Sequence, residues 1–267
     1  MNDKRIIDWV DFSTPISFSK LNKIKQLWSE CLYLVFPKQE LDIIHLENFV
    51  KLFGKNLEDP FIKPVNGSKY VAKVLREKDE KSRLFADTWH RDWFHLTMPP
   101  KATALYAIEV PDIGGDTLFA NQYEAYVGLP KTLKKIVDTH FGINSAKGGY
   151  SPEGIYGKDD VDRSMDLCYS NLAHQTQLHP LKIFHPDTKI PILNCNPGYT
   201  IGIEGIDENM SKEILHELFC HQTKSSYVFS HKWQKNDLVL WDNRCLLHKA
   251  TGGYEGKRRL LYRVTIQ

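Results

Sequence analysis

The sequence of 267 residues predicts an α+β protein, mainly β, with an antiparallel β core and peripheral helices. Short apolar runs typical of strands dominate the middle and the last third of the chain. They do not alternate regularly with helices, as the strands of a parallel sheet do. A double-sheet jelly roll is the architecture that this pattern favours. Apolar residues make up 42% of the chain, enough for a sizeable core, so we expect one domain over residues 1–267.

The first part of the chain, residues 1–55, predicts a helix, a strand and a second helix that flank the core. Apolar residues recur every three or four positions in Ser19–Trp28, as on one face of a helix. Leu32–Phe36 is a short apolar run that ends at a proline and predicts a buried strand. Leu41–Phe53 predicts a helix that ends at Gly54.

The middle of the chain predicts a strand, two helices and a long loop. Ala102–Val110 is typical of a strand and is followed by the turn Pro111–Asp116. Gln122–Gly128 and Lys131–Thr139 predict helices, the second of which starts after a proline. Residues 140–175 include a glycine-rich stretch and an acidic run, and we interpret them as a lid loop.

The last third of the chain returns to strands around one amphipathic helix, Met210–His221. The strands expected here are Leu181–His185, Ile192–Asn196, Tyr227–Ser230, Leu238–Trp241 and Leu260–Ile266.

Charge and cysteine content exclude several classes of protein. A formal net charge of +2 gives no reason to expect nucleic acid or an anionic membrane as a partner. No apolar stretch approaches the ~18 residues of a membrane span. The N-terminus does not have the pattern of a signal peptide. The five cysteines are scattered, odd in number and without a C-x-x-C pair, which indicates a reducing, cytoplasmic location.

The stretch Trp89-His90-Arg91-Asp92 carries the strongest chemical signal in the chain. In an extended segment, side chains two positions apart leave the same face, so His90 and Asp92 can converge on one ion. A second histidine, His248, follows far along the chain. Two histidines and one carboxylate form the facial triad of non-haem Fe(II) oxygenases. The alternative is a hydrogen-bonded pair on a strand and an unrelated interior histidine.

The motifs around these residues occur in a characteristic order. They are Trp89-His90-Arg91-Asp92, Pro99-Pro100, Gly114-Gly115-Asp116-Thr117, Asn196-Pro197-Gly198-Tyr199-Thr200, Trp241-Asp242-Asn243-Arg244, His248, Arg258-Arg259 and Arg263. Over most of its length the chain resembles the taurine and 2,4-dichlorophenoxyacetate dioxygenase family of Fe(II)- and 2-oxoglutarate-dependent enzymes.

The resemblance implies a double-stranded β-helix (jelly roll) and an iron site formed by His90, Asp92 and His248. It implies 2-oxoglutarate and O2 as co-substrates. Family members hold the distal carboxylate of 2-oxoglutarate with an arginine eleven residues after the second histidine, here Arg259, and with the threonine that matches Thr117.

The resemblance also implies the kind of reaction and substrate. Oxidation of a C–H bond, most often hydroxylation, is coupled to decarboxylation of 2-oxoglutarate to succinate and CO2. Arg263 lies four residues after Arg259, on the same face of a strand, and is the candidate for an anionic group of a small acidic or amino-acid-like substrate. Trp93 and Tyr199 are the candidates for an aromatic wall of the substrate pocket. Dimers or tetramers are expected from the family.

Two other functions use some of the same residues. A metal-dependent hydrolase can use the triad with zinc, but it leaves Arg259 and Thr117 without a role. A non-catalytic jelly roll that binds a small molecule needs no intact triad.

Overall fold

The computed structural model of the protein describes residues 3–267, which contain six α-helices and fourteen strands. The helices are α1 (Phe18–Cys31), α2 (Ile43–Phe53), α3 (Gln122–Val127), α4 (Lys131–Thr139), α5 (Lys147–Tyr150) and α6 (Glu208–Gln222). The strands of the first half are β1 (Tyr33–Phe36), β2 (Asn56–Leu57), β3 (Ala72–Arg76), β4 (Ala102–Glu109), β5 (Thr117–Asn121) and β6 (Phe141–Ser145). The later strands are β7 (Thr176–Pro180), β8 (Lys182–Phe184), β9 (Pro191–Leu193), β10 (Thr200–Ile203), β11 (Val228–His231), β12 (Leu238–Asp242), β13 (Leu246–Ala250) and β14 (Arg259–Ile266).

The N-terminal helix, strand and helix form where the sequence predicts them. The side chain of Ser17 accepts a hydrogen bond from a backbone N–H of the first turn of α1. Leu32 ends α1 in the left-handed conformation, with φ of 65°. Asp42 and His45 form reciprocal hydrogen bonds that start α2. β1 lies between these helices and pairs with β12 at the edge of the main sheet.

The main sheet has six antiparallel strands in the order β1-β12-β4-β14-β2, with β3 also paired to β14. α1 and α2 cover one face of this sheet, where Ile24, Leu46 and Val264 are among the buried residues of a continuous apolar core. Burial of this apolar surface is the dominant stabilising contribution to such a core.

A second sheet of three antiparallel strands, β11-β5-β13, lies over the other face of the main sheet. Side chains of both sheets meet in an apolar layer that includes Phe119 from β5, Leu246 from β13 and Leu261 from β14. The remaining strands form the sheets β10-β6-β7 and β8-β9. The predicted combination of antiparallel sheets and peripheral helices is confirmed, and no closed barrel forms among the strands of residues 3–267.

The prediction of a loop over residues 140–175 is wrong at its start. Phe141–Ser145 is strand β6, and the short helix α5 follows it. β6 pairs with β7 and with β10, so tertiary pairing, rather than a strong local pattern, determines this strand. Residues 151–170 consist mainly of turns, as the glycine-rich and acidic composition predicts. Within the described part of the chain, no helix is long and apolar enough to cross a membrane.

Candidate metal centre and active site

Two of the three predicted metal ligands face each other across an isolated antiparallel bridge. His90 N–H donates to the carbonyl of His248 at 3.0 Å, and His248 N–H donates to the carbonyl of His90 at 2.9 Å. His248 lies at the centre of β13, which is held in place by β5. The bridge brings the imidazole centroids to 4.2 Å from each other. Backbone pairing therefore joins residues that are far apart in the sequence.

The carboxylate of Asp92 completes the triad. Its Oδ1 lies 3.6 Å from Nε2 of His90 and 3.6 Å from Nε2 of His248. The three side chains are a candidate metal-binding group whose ligand atoms all lie within 4.8 Å of one another. Arg91, between the two ligands, points away and donates to the carbonyl of Leu193 at 2.7 Å. The extended backbone thus directs His90 and Asp92 to one side and uses Arg91 as an anchor on the other.

Hydrogen bonds behind the triad hold the ligands in orientation. Nδ1 of His90 lies 2.8 Å from the carbonyl of Thr88, which fixes the tautomer that leaves Nε2 available to a metal. Thr103 donates its hydroxyl to Oδ2 of Asp92 at 2.5 Å. The amide of Asn243 donates to that hydroxyl at 2.8 Å and accepts from the indole of Trp241 at 2.9 Å. Oδ2 is therefore occupied, and Oδ1 faces the histidines.

The charge state of the triad also suits a cation. Burial by itself raises the pKa of Asp92, but the nearby Arg263 and His248 outweigh burial and hold this pKa well below its usual range. Burial lowers the pKa of His248 to about 4. An ionised carboxylate and a neutral imidazole are the forms that bind metal. Nδ1 of His248 is buried without a hydrogen-bond partner in the described structure.

Gly198 allows the loop after β9 to approach the first ligand. A Cβ at this position would lie 2.7 Å from Cβ of His90, so a larger residue would displace the ligand or the loop. The N–H of Gly198 donates to the carbonyl of Trp89 at 3.1 Å. The Asn-Pro-Gly turn singled out in the sequence thus supports the metal-ligand segment.

A small inner cavity of about 40 Å³ lies beside the triad and contains the two predicted 2-oxoglutarate contacts, Arg259 and Thr117. Arg259 is buried, and its Nε donates to the carbonyl of Gly115 at 3.1 Å. Burial lowers the pKa of its guanidinium to about 10, and no carboxylate of residues 3–267 lies within 4.0 Å of it. Thr117 accepts a hydrogen bond from the indole of Trp233 at 3.0 Å, so its own hydroxyl hydrogen remains free to donate.

The Gly-Gly turn before β5 has a conformational role at this cavity. Gly114 and Gly115 have φ of 78° and 70°, in the left-handed region that favours glycine. A Cβ on Gly115 would lie 3.1 Å from Cδ and Nε of Arg259. The turn therefore leaves the space in which this arginine lies.

Arg263 lies on the same face of β14 as Arg259, as the spacing predicts. Its Nη2 lies 3.0 Å from Oδ1 of Asp92 and 3.4 Å from Oδ1 of Asp59. These two carboxylates raise the pKa of Arg263 although burial opposes them. Asp59, which the sequence analysis did not identify, is therefore part of the charge balance of the site.

The structure corrects the position of Trp93. We expected it in the wall of the substrate pocket, but it is fully buried and does not line the cavity. Its backbone has a φ of 46°, and its ring lies 4.9 Å from Cζ of Arg263. Its indole N–H donates to Asp59. Trp93 thus packs behind Arg263 and orients it.

An outer cavity of about 140 Å³ opens on His90 and Asp92 of the triad, and aromatic side chains form part of its wall. Tyr199 lines it, as predicted, and its ring stacks on His95 at a centroid distance of 5.4 Å. Side chains from the proposed lid, among them Tyr150 and Tyr156, also line it. The remaining lining is Phe85, Ala86, Thr88, His90, Asp92, Gly148, Gly149, Ile155, Pro197, Gly198 and Arg263.

A second group of ligand-type side chains lies beside the turn after β12: His185, Asp242 and Cys245. Hydrogen bonds already account for its polar atoms. Asp242 accepts from Nε of Arg244 at 2.9 Å and lies 3.0 Å from Nε2 of His185. Nδ1 of His185 faces two backbone N–H groups of the following turn. Asp242 and Arg244 therefore brace a turn.

Comparisons with known proteins agree with this geometry. The family model described as "Taurine catabolism dioxygenase TauD, TfdA family" matches residues 6–265. An alkylsulfatase of Acinetobacter baylyi is 26% identical over 97% of this chain and 80% of its own length. The alpha-ketoglutarate-dependent 2,4-dichlorophenoxyacetate dioxygenase of Cupriavidus pinatubonensis is 26% identical over 97% of this chain and 92% of its own length.

A solved structure supports the fold. The crystal structure of a taurine dioxygenase from Burkholderia xenovorans superposes with a TM-score of 0.80 over 98% of this chain and 84% of that chain, at 24% sequence identity. Because the family model spans nearly all of the residues that form the two sheets and the site, the chain belongs to the TauD, TfdA family of dioxygenases.

Proposed function

We propose that this dioxygenase uses His90, Asp92 and His248 to hold Fe(II), and uses Arg259 and Thr117 to hold the distal carboxylate of 2-oxoglutarate. The substrate is a small organic anion whose C–H bond is oxidised, most often to an alcohol, while 2-oxoglutarate becomes succinate and CO2. The family establishes the type of enzyme; the residue assignments and the substrate class are our proposal.

The observation that carries the proposal is the unpaired guanidinium of Arg259 beside the triad. A buried charge is costly unless it is paired and hydrogen-bonded. Arg259 faces a cavity that also contains His90, Asp92 and His248. A dicarboxylate with one end at the metal and the other at Arg259 neutralises this charge, and a guanidinium matches a carboxylate bidentately. A metal-dependent hydrolase has no carboxylate co-substrate that would pair with Arg259.

The residues of the chain divide the work of the site. Bound Fe(II) supplies dioxygen activation coupled to decarboxylation of 2-oxoglutarate. Thr103 and the carbonyl of Thr88 hold the carboxylate and the imidazole of the ligand pair in orientation. The aromatic wall excludes water from the reacting centre.

The electrostatics of the outer cavity support an anionic substrate. Arg263 is the cationic side chain that lines the outer cavity, and it pairs with Asp92. When Fe(II) is bound, Asp92 becomes a metal ligand. Bound metal withdraws charge from Asp92 and leaves Arg263 more positive toward the cavity. Relatives named for alkyl sulfates and 2,4-dichlorophenoxyacetate suggest monoanions with an apolar body as the first compounds to test.

Five broader assignments belong to the same proposal. The two facing sheets correspond to a double-stranded β-helix, and residues 1–267 form one domain. The segment from 146 to 175 acts as a lid. The five cysteines are free, as expected for a cytoplasmic enzyme. Dimers or tetramers, expected from the family, are tested by sedimentation.

A screen of small monoanions for substrate-stimulated succinate formation, with Fe(II), O2 and 2-oxoglutarate, tests the proposed function. We expect at least one alkyl sulfate, alkanesulfonate or aryloxy acid to stimulate turnover. Hydrolysis that needs neither O2 nor 2-oxoglutarate would favour the hydrolase instead.

A further inference from the structure

Two tyrosines of the outer cavity have hydroxyl groups without a protein partner. Tyr150 is 6% exposed and Tyr199 is 5% exposed, so both side chains are almost completely buried. Neither hydroxyl takes part in a hydrogen bond with residues 3–267, yet neither is among the fully enclosed polar atoms that lack a partner. Both residues line the outer cavity. Their hydroxyls therefore open into it.

This arrangement is unusual for buried phenols, which normally find a hydrogen-bond partner. Buried Tyr106 and Tyr126 follow the rule: they donate to the carbonyl of Gln39 and to Asp138, each at 2.7 Å. The hydroxyl of Tyr254 also lacks a partner among the described residues, but Tyr254 does not line the outer cavity. Two unpartnered hydroxyls in one cavity thus mark a place where a ligand supplies the acceptor.

The chemistry of the two hydroxyls makes them donors. Burial raises the pKa of Tyr150 and of Tyr199 well above the usual value, so both phenols keep their protons. Their rings are fixed by packing: Tyr150 stacks on Phe61 at a centroid distance of 4.7 Å, and Tyr199 stacks on His95. The donors are therefore held in place before a ligand arrives.

We propose that the hydroxyls of Tyr150 and Tyr199 donate hydrogen bonds to the oxyanion of the substrate beside Arg263, and so select oxyanions with several acceptor oxygens. The proposal rests on the anionic substrate proposed above and assigns it two further contacts. The rest of the wall, including Phe85 and Ile155, takes the apolar body of the molecule. Tyr150 is the last residue of α5 in the proposed lid, so the same contact connects the lid to a bound substrate.

Anaerobic calorimetry on the Fe(II)- and 2-oxoglutarate-loaded protein tests the proposal without turnover. The probes are hexyl sulfate, hexanoate and phenoxyacetate, with hexyl methyl ether as a neutral analogue of the first. The variants are Tyr150→Phe, Tyr199→Phe and the double variant. Tyr126→Phe is the matched control, since its hydroxyl is paired far from this cavity. Unchanged affinity for 2-oxoglutarate verifies that each variant retains the inner site.

We expect each cavity variant to weaken binding of hexyl sulfate about 10-fold, the usual effect of losing a hydrogen bond to a charged group, and the double variant to weaken it further than either single variant. The neutral ether should bind all variants alike, and Tyr126→Phe should match the wild type. Anion binding that is unchanged in both cavity variants would overturn this inference and leave the proposed function intact. A wild-type protein that binds 2-oxoglutarate but none of the three anions would overturn the anionic substrate and, with it, this inference.

Discussion

Thr103 shows how a residue that does not touch the metal prepares the site. Its hydroxyl occupies one oxygen of Asp92, so the other oxygen faces both histidines. Partners that orient a metal ligand typically contribute 10–100-fold to metal affinity. The sequence analysis did not identify Thr103, because a threonine within a strand of apolar residues carries no distinctive signal.

Thr103→Val should weaken binding of Fe(II) or Co(II) about 10–100-fold, since it removes the donor to Asp92 while it preserves the side-chain shape. A metal titration followed by calorimetry measures this. Thr265→Val is the matched control: Thr265 pairs with Thr103 across the sheet, but its hydroxyl donates to Asp59. Equal losses in both variants would mean that the effect is only structural.

Arg259→Ala should raise the apparent Kd of 2-oxoglutarate about 100-fold, with a much smaller effect on the organic substrate. Removing one partner of a buried charge pair costs ~2–5 kcal/mol. The neighbouring Arg258→Ala is the control, because Arg258 lies at the surface and pairs with Glu77 and Glu109. An equal change in the KM values of both substrates would refute the assignment of Arg259.

At the scale of secondary-structure elements, the sequence predicted most helices and the apolar strands, including β4 and β14, but not two of the strands that carry the site. Ser19–Trp28 and Lys131–Thr139 have clear helical periodicity and form helices. β5 and β13, which carry Thr117 and His248, were not predicted. β13 is short and includes His248 and Lys249, so its strand conformation comes from pairing with β5 rather than from a local pattern.

The proposed lid is held to the rest of the protein by Glu80. The side chain of Glu80 is 1% exposed, and it lies 3.8 Å from Nη1 of Arg163 and 3.5 Å from Nη1 of Arg76. It also accepts from the N–H of Ser164 at 3.0 Å. Arg163 in turn packs on Tyr156, which lines the outer cavity. A buried carboxylate thus tethers the lid.

Glu80→Gln should loosen this tether and raise the KM of the organic substrate several-fold, with little change in the affinity for 2-oxoglutarate. Breaking a buried ion pair by neutralising one partner is destabilising because a charge is left unpaired. Hydrogen exchange of residues 151–164 should become faster. Asp79→Asn, at the exposed neighbouring position, should leave both quantities unchanged. If hydrogen exchange of residues 151–164 in Glu80→Gln were as slow as in the wild type, Glu80 would not be the tether of the lid.

At the scale of the whole molecule, the fold class and the order of the motifs were predictable, whereas the detailed environment of the site was not. The triad, Arg259 and Thr117 follow the order of the family motifs and meet in space. Asp59, Tyr150 and Thr103 were missed because single polar residues outside a motif are common. Trp93 was misplaced because its backbone turns through a positive φ, which the sequence does not indicate.

The stability of the metal-free protein should fall on acidification. Burial lowers the pKa of His95 to about 4, so below pH 6.5 the unfolded chain binds a proton that the folded protein does not, and stability is lost as the pH falls toward 4. Burial also lowers the pKa of His179, with the same sign, whereas the raised pKa of Asp59 acts in the opposite direction.

Urea denaturation at pH 7 and pH 5 measures this dependence. We expect His95 to contribute about 2 kcal/mol to the difference between the two pH values. In His95→Gln, the difference between the free energies of unfolding at pH 7 and pH 5 should be smaller by this amount, whatever effect the substitution has on stability at pH 7. A pH dependence identical to that of the wild type would show that His95 is not the titrating group.

The central claim is that one cavity holds a metal at His90, Asp92 and His248 and 2-oxoglutarate at Arg259. Anaerobic calorimetric titration of 2-oxoglutarate into the wild-type protein, with and without Fe(II), and into a folded Asp92→Ala variant, tests this claim most directly. We predict one binding site per chain that requires Fe(II) and is lost in Asp92→Ala. Binding of equal affinity without Fe(II), or in Asp92→Ala, would contradict the claim.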